Sequence, residues 1–401
     1  MIKYILKRFF QSLLTVLLVL CIVFFLMRMM PTDYFFTEDE LMKFTDQQKY
    51  AKLERQGVMS ICPTCHGSGL LESGEACPDC MIHSTNPNQG TGYVDRSAFA
   101  QLGDLFRDLF EMRVYNAKGK EIKTIEPVNI WAYLSEKTNG RDPFEGKMKE
   151  GYSARLSFNL GKSIRLEKGQ YVTDVISNKM SVSMSIGLVS LAISLVLGVV
   201  LGVLQARYKD GLFDHIGTGY TVLVNAVPHL VIYTLIMVLG SQLLKVPMQY
   251  DANAGSDSWR SMILPVFCLS IGSIAGYMLW TRRYMVDELN KDYIRLARLK
   301  GLPEHKVLFR HVLKNAFVPL AQYLPYSILL TVGGSLLVER FFGIPGMGPM
   351  LTNSIAKLDL PLVQGIVMLY ASLGIIGVFL GDLLMTLIDP RIKLTGKEGV
   401  R

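Results

Sequence analysis

Residues 282–315 read RRYMVDELNKDYIRLARLKGLPEHKVLFRHVLKN, a run of mixed charge set between two apolar segments that are each long enough to cross a bilayer. Within it Tyr293, Ile294, Ala297, Leu299 and Leu302 recur at roughly helical spacing, which predicts short amphipathic helices rather than an open loop. Gly301 is expected to end the first helix. Pro303 and Glu304 suit the first turn of a second, because proline there gives up an N–H that would be unpaired anyway. The expectation is a helix, a tight turn and another helix, held against one membrane face as a docking surface.

Working outward, apolar runs at 9–30, 180–206, 216–244, 261–281, 316–338 and 362–388 predict six membrane spans. Lys3, Lys7 and Arg8 precede the first, and Arg207 and Lys209 follow the second, so cations place both termini and the 282–315 stretch on the cytoplasmic side. No small-residue cleavage site follows the first run, which therefore reads as a retained span. Pro228 predicts a kink in the third span, and Pro319 and Pro325 bending in the fifth. Gly187, Gly198 and Gly202 either let a neighbouring helix approach closely or are ordinary span glycines. Asp382, near the inner end of the sixth span, is an ionisable residue at a costly depth.

Composition agrees with this layout. The chain has 401 residues, of which 50% are hydrophobic, and a mean hydropathy of +0.29. That is too apolar for an ordinary soluble domain. The net charge of +8 comes from Lys and Arg beside apolar spans, which speaks for membrane orientation and against nucleic acid binding.

Between the first two spans, residues 32–178 are polar and hold no run long enough to cross, so they form a small mixed extracytoplasmic insertion. Residues 102–110 predict an amphipathic helix, and 121–130 a strand with a turn at Glu126 and Pro127. The insertion contains Cys62-Pro-Thr-Cys65-His-Gly-Ser-Gly and Cys77-Pro-Asp-Cys80. Two such Cys-x-x-Cys knuckles present four thiolates tetrahedrally to Zn²⁺, and glycine lets backbone N–H groups reach sulfur. Disulfide bonding and a redox role stay open as alternatives, since the topology puts these cysteines outside the cell. The first knuckle resembles the Cys-x-x-Cys-x-Gly-x-Gly repeat of J-domain chaperone zinc regions; the second lacks the glycines. His66 and His83 are expected to be bystanders.

The run from Asp292 to Gly301, continuing through Arg310, His311 and Asn315 to Pro319, resembles the EAA loop of ABC importer permeases in the form used by B-type subunits of oligopeptide, dipeptide and nickel transporters. Ala297 and Gly301 match its best-kept positions. Arg295 and Leu296 replace the leading Glu and Ala, and His311 and Lys314 stand where the general motif has Ile and Pro. Three further stretches resemble the same family: the opening MIKYILKRFFQSLLTVLLV, the closing Asp389-Pro390-Arg391, and residues 339–348, which fit the signature E-x-x-F-x-I-P-G-x-G. The last is expected to be a tight external loop, in which Glu339 and Arg340 either pair at the outer mouth or form a solvated rim. Residues 160–165 and 171–176 are similar to the segment with which the family re-enters the membrane.

The resemblance implies an all-α integral membrane protein, a type I ABC importer transmembrane domain of six spans with the small mixed insertion added. It implies the divisions 1–31 for the tail and first helix, 32–178 for the insertion, 179–390 for the permease domain and 391–401 for a cytoplasmic tail. It further implies a bacterial cytoplasmic membrane location and ATPase coupling through Tyr293, Ala297, Gly301, Leu302, His311 and Asn315. The partners implied are a second homologous permease subunit, two ABC ATPases and an extracytoplasmic peptide-binding protein. No nucleotide is expected on this chain: Gly161-Lys162-Ser163 lacks the leading glycine of a phosphate loop, its place being taken by Leu156. No catalytic set accompanies the scattered histidines, so the chain reads as a non-enzymatic subunit. Two other classes stand beside this reading. A non-transporting membrane sensor or scaffold would use the external zinc knuckle, and an ion-driven transporter would need paired ionisable residues at mid-bilayer.

Overall fold

The computed structural model describes residues 2–29, 31–81, 88–116, 121–122, 125–139, 141–147, 151–251 and 258–388. His83 and the Asp389-Pro390-Arg391 ending lie outside them. In chain order the elements begin with α1 (Ile2–Arg28), α2 (Glu38–Lys43), α3 (Asp46–Arg55), β1 (Met59–Ile61), β2 (Tyr93–Asp95), α4 (Ala98–Asp108) and β3 (Phe110–Tyr115). Then come β4 (Val128–Asn129), α5 (Ile130–Thr138), β5 (Ser153–Phe158), α6 (Val172–Arg207), α7 (Leu212–Ala226), α8 (His229–Leu244) and α9 (Ser258–Leu289). The last group is α10 (Asp292–Leu299), α11 (Glu304–Lys306), a π-helix (Val307–Leu313), α12 (Lys314–Thr331), α13 (Leu336–Phe341), α14 (Met347–Ala356) and α15 (Leu360–Ile388).

Among the described residues, five helical stretches have the length and apolarity to cross a membrane, and a sixth crossing follows if α7 and α8 count as one span. The expected kink at Pro228 is instead a break: α7 and α8 meet at 108°, as a broken span or a re-entrant pair. Pro228 sits at the N-cap of α8, where its missing N–H leaves no gap in the helix ladder. Other boundaries move as well. The second span starts at Val172, and the fourth runs on to Leu289, so residues 282–289 extend a membrane helix and do not belong to the short helices.

The packing divides into two compact units: Met1–Val19, Ile176–Asn353 and Val367–Arg401 form one, and Leu20–Val175 with Ser354–Ile366 form the other. In the first unit the span glycines serve close approach. A Cβ on Gly198 would lie 2.5 Å from the Tyr277 Cβ, one on Gly202 2.6 Å from the Thr281 Cβ, and one on Gly187 2.8 Å from the Thr331 Cβ. Small residues let backbones meet where lipid supplies little hydrophobic drive between helices. Nearby, Ser190 and Ser270 share a hydroxyl contact at 3.1 Å, also buried. Asp382 is buried too; it accepts from Gln322 Nε2 at 2.9 Å and faces Arg8 at 3.3 Å, which explains how a carboxylate is tolerated there.

Among its described residues the second unit carries two small antiparallel sheets, β1 with β2 and the three-stranded β4-β3-β5, the latter in a register pairing Phe110 with Phe158 and Tyr115 with Ser153. The expected helix at 102–110 is α4, which ends at Asp108 because β3 begins two residues later. Ser97 caps it through the Ala100 N–H. The expected strand at 121–130 shrinks to Val128–Asn129 and an isolated bridge between Glu121 and Tyr115. Arg113 is buried on β3, ion-paired with Glu111 and lying 3.8 Å over the Tyr171 ring. Asp359 is fully buried in the same unit. It accepts the Ser163 hydroxyl at 2.6 Å and the backbone N–H groups of Ile164, Arg165 and Leu166 at 3.2, 3.0 and 2.8 Å. The Gly161-Lys162-Ser163 segment thus does lead into a nest of amides of the kind that binds anions, and the anion is the chain's own carboxylate.

Candidate functional site

The helix-turn-helix at 292–313 is built on a small apolar core. Ile294 and Ala297 lie three residues apart on α10 and pack on Val307, Leu308 and Val312 of the π-helix, together with Met285, Val203, Ala206 and Ala316. Gly301 has φ +77, the left-handed region that glycine enters without strain, and its N–H closes the turn on Arg298 O at 2.9 Å. A Cβ there would meet nothing within 4 Å, so within this chain the position needs the backbone angle and not the space. Across the turn Arg298 pairs with Glu304 at 2.7 Å.

Three of the five positions read from the sequence are exposed instead, Tyr293 at 39% among them. Leu299 is 84% exposed and Leu302 36%, whereas the buried stripe holds Ile294 and Ala297 alone. Leu299 is thus exposed, as are Leu296 on the same helix and Phe309 on the π-helix, and Arg295, Lys300 and Arg310 adjoin them in sequence. Sequence reasoning missed Leu296 and Phe309 as surface features, although helical spacing already puts 296 and 299 opposite 294 and 297. Of the six expected coupling residues, Tyr293, His311 and Asn315 come together: Asn315 Nδ2 donates to the Tyr293 hydroxyl at 2.7 Å, and the His311 carbonyl lies 3.5 Å from it. The contact uses the His311 backbone and not its imidazole. Tyr293 also donates to Glu288 at the end of α9, and burial together with that carboxylate pushes its hydroxyl up to about 12.

The same unit holds a half-open cavity of about 950 Å³. Its walls carry Tyr277, Trp280, Tyr323 and Tyr326 with Ser190, Ser273 and Ser327, and among the described lining residues Glu339 is the one carboxylate. Glu339 neither pairs with Arg340 nor forms a solvated rim. It is 2% exposed and accepts from the N–H groups of Ser335 at 3.1 Å and Gly348 at 2.9 Å. The stretch 339–348 is correspondingly no simple loop; it joins α13 to α14 through a turn, and its Gly346 is small because a Cβ would lie 2.3 Å from the Glu339 carboxylate. Another link missed from sequence is Arg282, which forks onto the Asp214 carboxylate at 2.7 Å and ties the end of α9 to the start of α7.

In the second unit Cys62, Cys65, Cys77 and Cys80 are buried, free, and have all four sulfurs within 4.8 Å of one another. Cys62 and Cys77 stand 3.8 Å apart and Cys65 and Cys80 3.7 Å apart. A tetrahedron with metal–sulfur bonds of about 2.3 Å has edges of about 3.8 Å, while a disulfide requires about 2.05 Å. Burial pushes the Cys65 thiol up, but the amides of Gly69 and Gly67 outweigh it and bring it down to about 7; burial carries Cys80 up to about 12. The second knuckle lacks local glycines, and the return strand supplies them. The amide of Gly92 reaches Cys80, and a Cβ on Gly90 would sit 2.5 Å from its sulfur. His66 is exposed, outside the cluster.

Residues 198–394 match the family described as binding-protein-dependent transport system inner membrane component. The dipeptide transport system permease protein DppB of Bacillus subtilis is 34% identical over 242 residues, 60% of this chain and 77% of DppB. The chain belongs to this family. The oligopeptide transport system permease protein AmiC of Streptococcus pneumoniae is 38% identical over 194 residues, 48% of this chain, and the match spans 39% of AmiC's own length. The oligopeptide permease protein AppB of Bacillus subtilis is 39% identical over 137 residues.

In this inner membrane component the family match takes in the α10 turn, the π-helix, Glu339 and most of the cavity wall, and it begins after the cysteine cluster. Membership speaks for the transporter reading rather than the sensor or scaffold.

Proposed function

We propose that the chain is the membrane-spanning permease subunit of an ATP-driven peptide importer and forms half of the translocation pathway. It pairs with a second, homologous permease subunit and sits in the bacterial cytoplasmic membrane with both termini on the cytoplasmic side. Two ABC ATPase subunits hydrolyse the ATP, and an extracytoplasmic binding protein delivers the peptide. Residues 179–390 are the permease domain, 1–31 the tail and first helix, 32–178 the extracytoplasmic insertion and 391–401 a cytoplasmic tail.

The observation that carries this reading is the two-sided α10. Its inner side, Ile294 and Ala297, is packed into the ends of the spans, while Leu296 and Leu299, like Phe309, are exposed with basic residues adjoining them in sequence. Exposed apolar side chains with cations beside them fit a hydrophobic groove with acidic edges on a separate subunit. Gly301 and Leu302 would complete that contact face, and Tyr293, His311 and Asn315 would support it from behind. Closure of the ATPases would then shift the spans between inward-open and outward-open states, because nucleotide binds the two states unequally. The cavity offers peptides aromatic rings and hydroxyls and little charge, so much of the choice of peptide would fall to the binding protein.

Leu299→Asp tests the docking. The side chain is exposed, so stability should change by less than about 0.5 kcal/mol, while the ATPase should be lost on purification and uptake abolished. Wild-type uptake would remove the docking role from this face.

For the insertion, Cys62, Cys65, Cys77 and Cys80 would hold one structural Zn²⁺. Four thiolates leave no open coordination position, so the ion would brace the fold and carry no catalysis. It would pin the two knuckles of the β1–β2 connection to each other, in a segment whose two short strands supply little core.

A further inference from the structure

Three helices converge on one phenol. The Tyr293 hydroxyl, on α10, donates to the carboxylate of Glu288 at the end of α9. It accepts from Asn315 Nδ2, in the first turn of α12, at 2.7 Å, and the His311 carbonyl of the π-helix lies 3.5 Å away. The apolar contacts of Ile294 and Ala297 hold α10 down, in one cluster with the π-helix, with Val203 and Ala206 of α6, Met285 of α9 and Ala316 of α12. Apolar packing of so short a face fixes distance better than rotation, since it has no directional term. Hydrogen bonds do have one, and these run to both flanking spans at once.

We propose that Tyr293 is a positioning residue for energy coupling: its hydroxyl latches α10 to Glu288 and Asn315, so that force on the docking helix moves α9 and α12 together. This rests on the reading of α10 as the ATPase-docking helix. Neither Tyr293, Glu288 nor Asn315 needs to touch the ATPase for the latch to act. Seven residues of π-helix between α10 and α12 make the latch more necessary, because a π-segment is a weak point in the ladder through which the force would otherwise pass.

The test uses the assembled transporter reconstituted in lipid vesicles, with peptide uptake and ATP hydrolysis measured on the same sample. Tyr293→Phe removes the hydroxyl and keeps the ring. The ATPase should still co-purify, while peptide moved per ATP falls at least about tenfold, the population change expected when a hydrogen bond to a charged partner is lost. Glu288→Ala should show the same loss and Glu288→Gln, which keeps an acceptor, should recover most of it. The double variant Tyr293→Phe with Asn315→Ala should be no worse than Tyr293→Phe alone, because both break one latch. An unchanged ratio of peptide to ATP in Tyr293→Phe, or additive losses in the double variant, overturns the latch. If the ATPase already fails to co-purify with the wild-type chain, the docking reading itself falls, which is a separate result.

Discussion

Replacing Asp359 by alanine should loosen the unit of residues 20–175 and 354–366 by about 3–4 kcal/mol. The carboxylate is fully buried and accepts one hydroxyl and three consecutive backbone N–H groups, those of Ile164, Arg165 and Leu166. A buried donor left unpaired costs about 1–3 kcal/mol. Residues 164–166 are half-buried, so water reaches the orphaned amides and about 1 kcal/mol each applies, with the Ser163 hydroxyl adding a similar amount. A domain of this size shifts by about 2–4 °C per kcal/mol, which makes the expected fall in melting temperature about 10 °C for the protein in detergent. Tryptic cleavage at Arg165 and Lys168 should accelerate by about two to three orders of magnitude, since it follows the open population. Formate should restore part of the stability by entering the vacated amide nest. A melting shift under about 2 °C with no formate effect would refute the reasoning, because the four bonds would then contribute nothing net.

Two other substitutions separate backbone from contact and metal from packing. Gly301→Ala should reduce uptake modestly, since its Cβ meets nothing in this chain and the left-handed backbone costs about 1–2 kcal/mol. Gly301→Arg should abolish uptake while the subunit still inserts, and normal uptake by that variant would show that nothing docks at the turn. Cys62→Ser should lower bound zinc, measured by elemental mass spectrometry of the purified complex, from about one per chain to near none. Retained metal in that variant would rule out the four-cysteine set.

The broad plan was legible in the sequence because it depends on local properties. Span lengths follow from runs of apolar residues, and the break at Gly301 follows from one residue's freedom to take φ +77. The gathering of the four cysteines was readable from spacing alone, since two residues between thiols suit a shared centre. The glycines that serve the second knuckle were not, because Gly90 and Gly92 return from farther along the chain. Leu299 was misplaced for a different reason: the eye groups apolar letters, whereas a helix assigns them by angle, and 299 falls opposite 294. Glu339 looked like a surface charge because its partners are two backbone amides, which leave no mark in a sequence, and the distant Ser183 hydroxyl.

The sequence by itself determined that the chain is a membrane protein with a charged, helical interruption and a four-thiol cluster, since hydropathy, charge placement and short-range spacing act within a few residues. The tertiary structure decided which side of α10 is free, that Asp359 fills the nest after Ser163, and that Asp382 is neutralised by Arg8. Those facts join residues up to 374 positions apart, the distance from 8 to 382. Pairings over such separations are fixed by the packing of whole helices, and no local pattern encodes them.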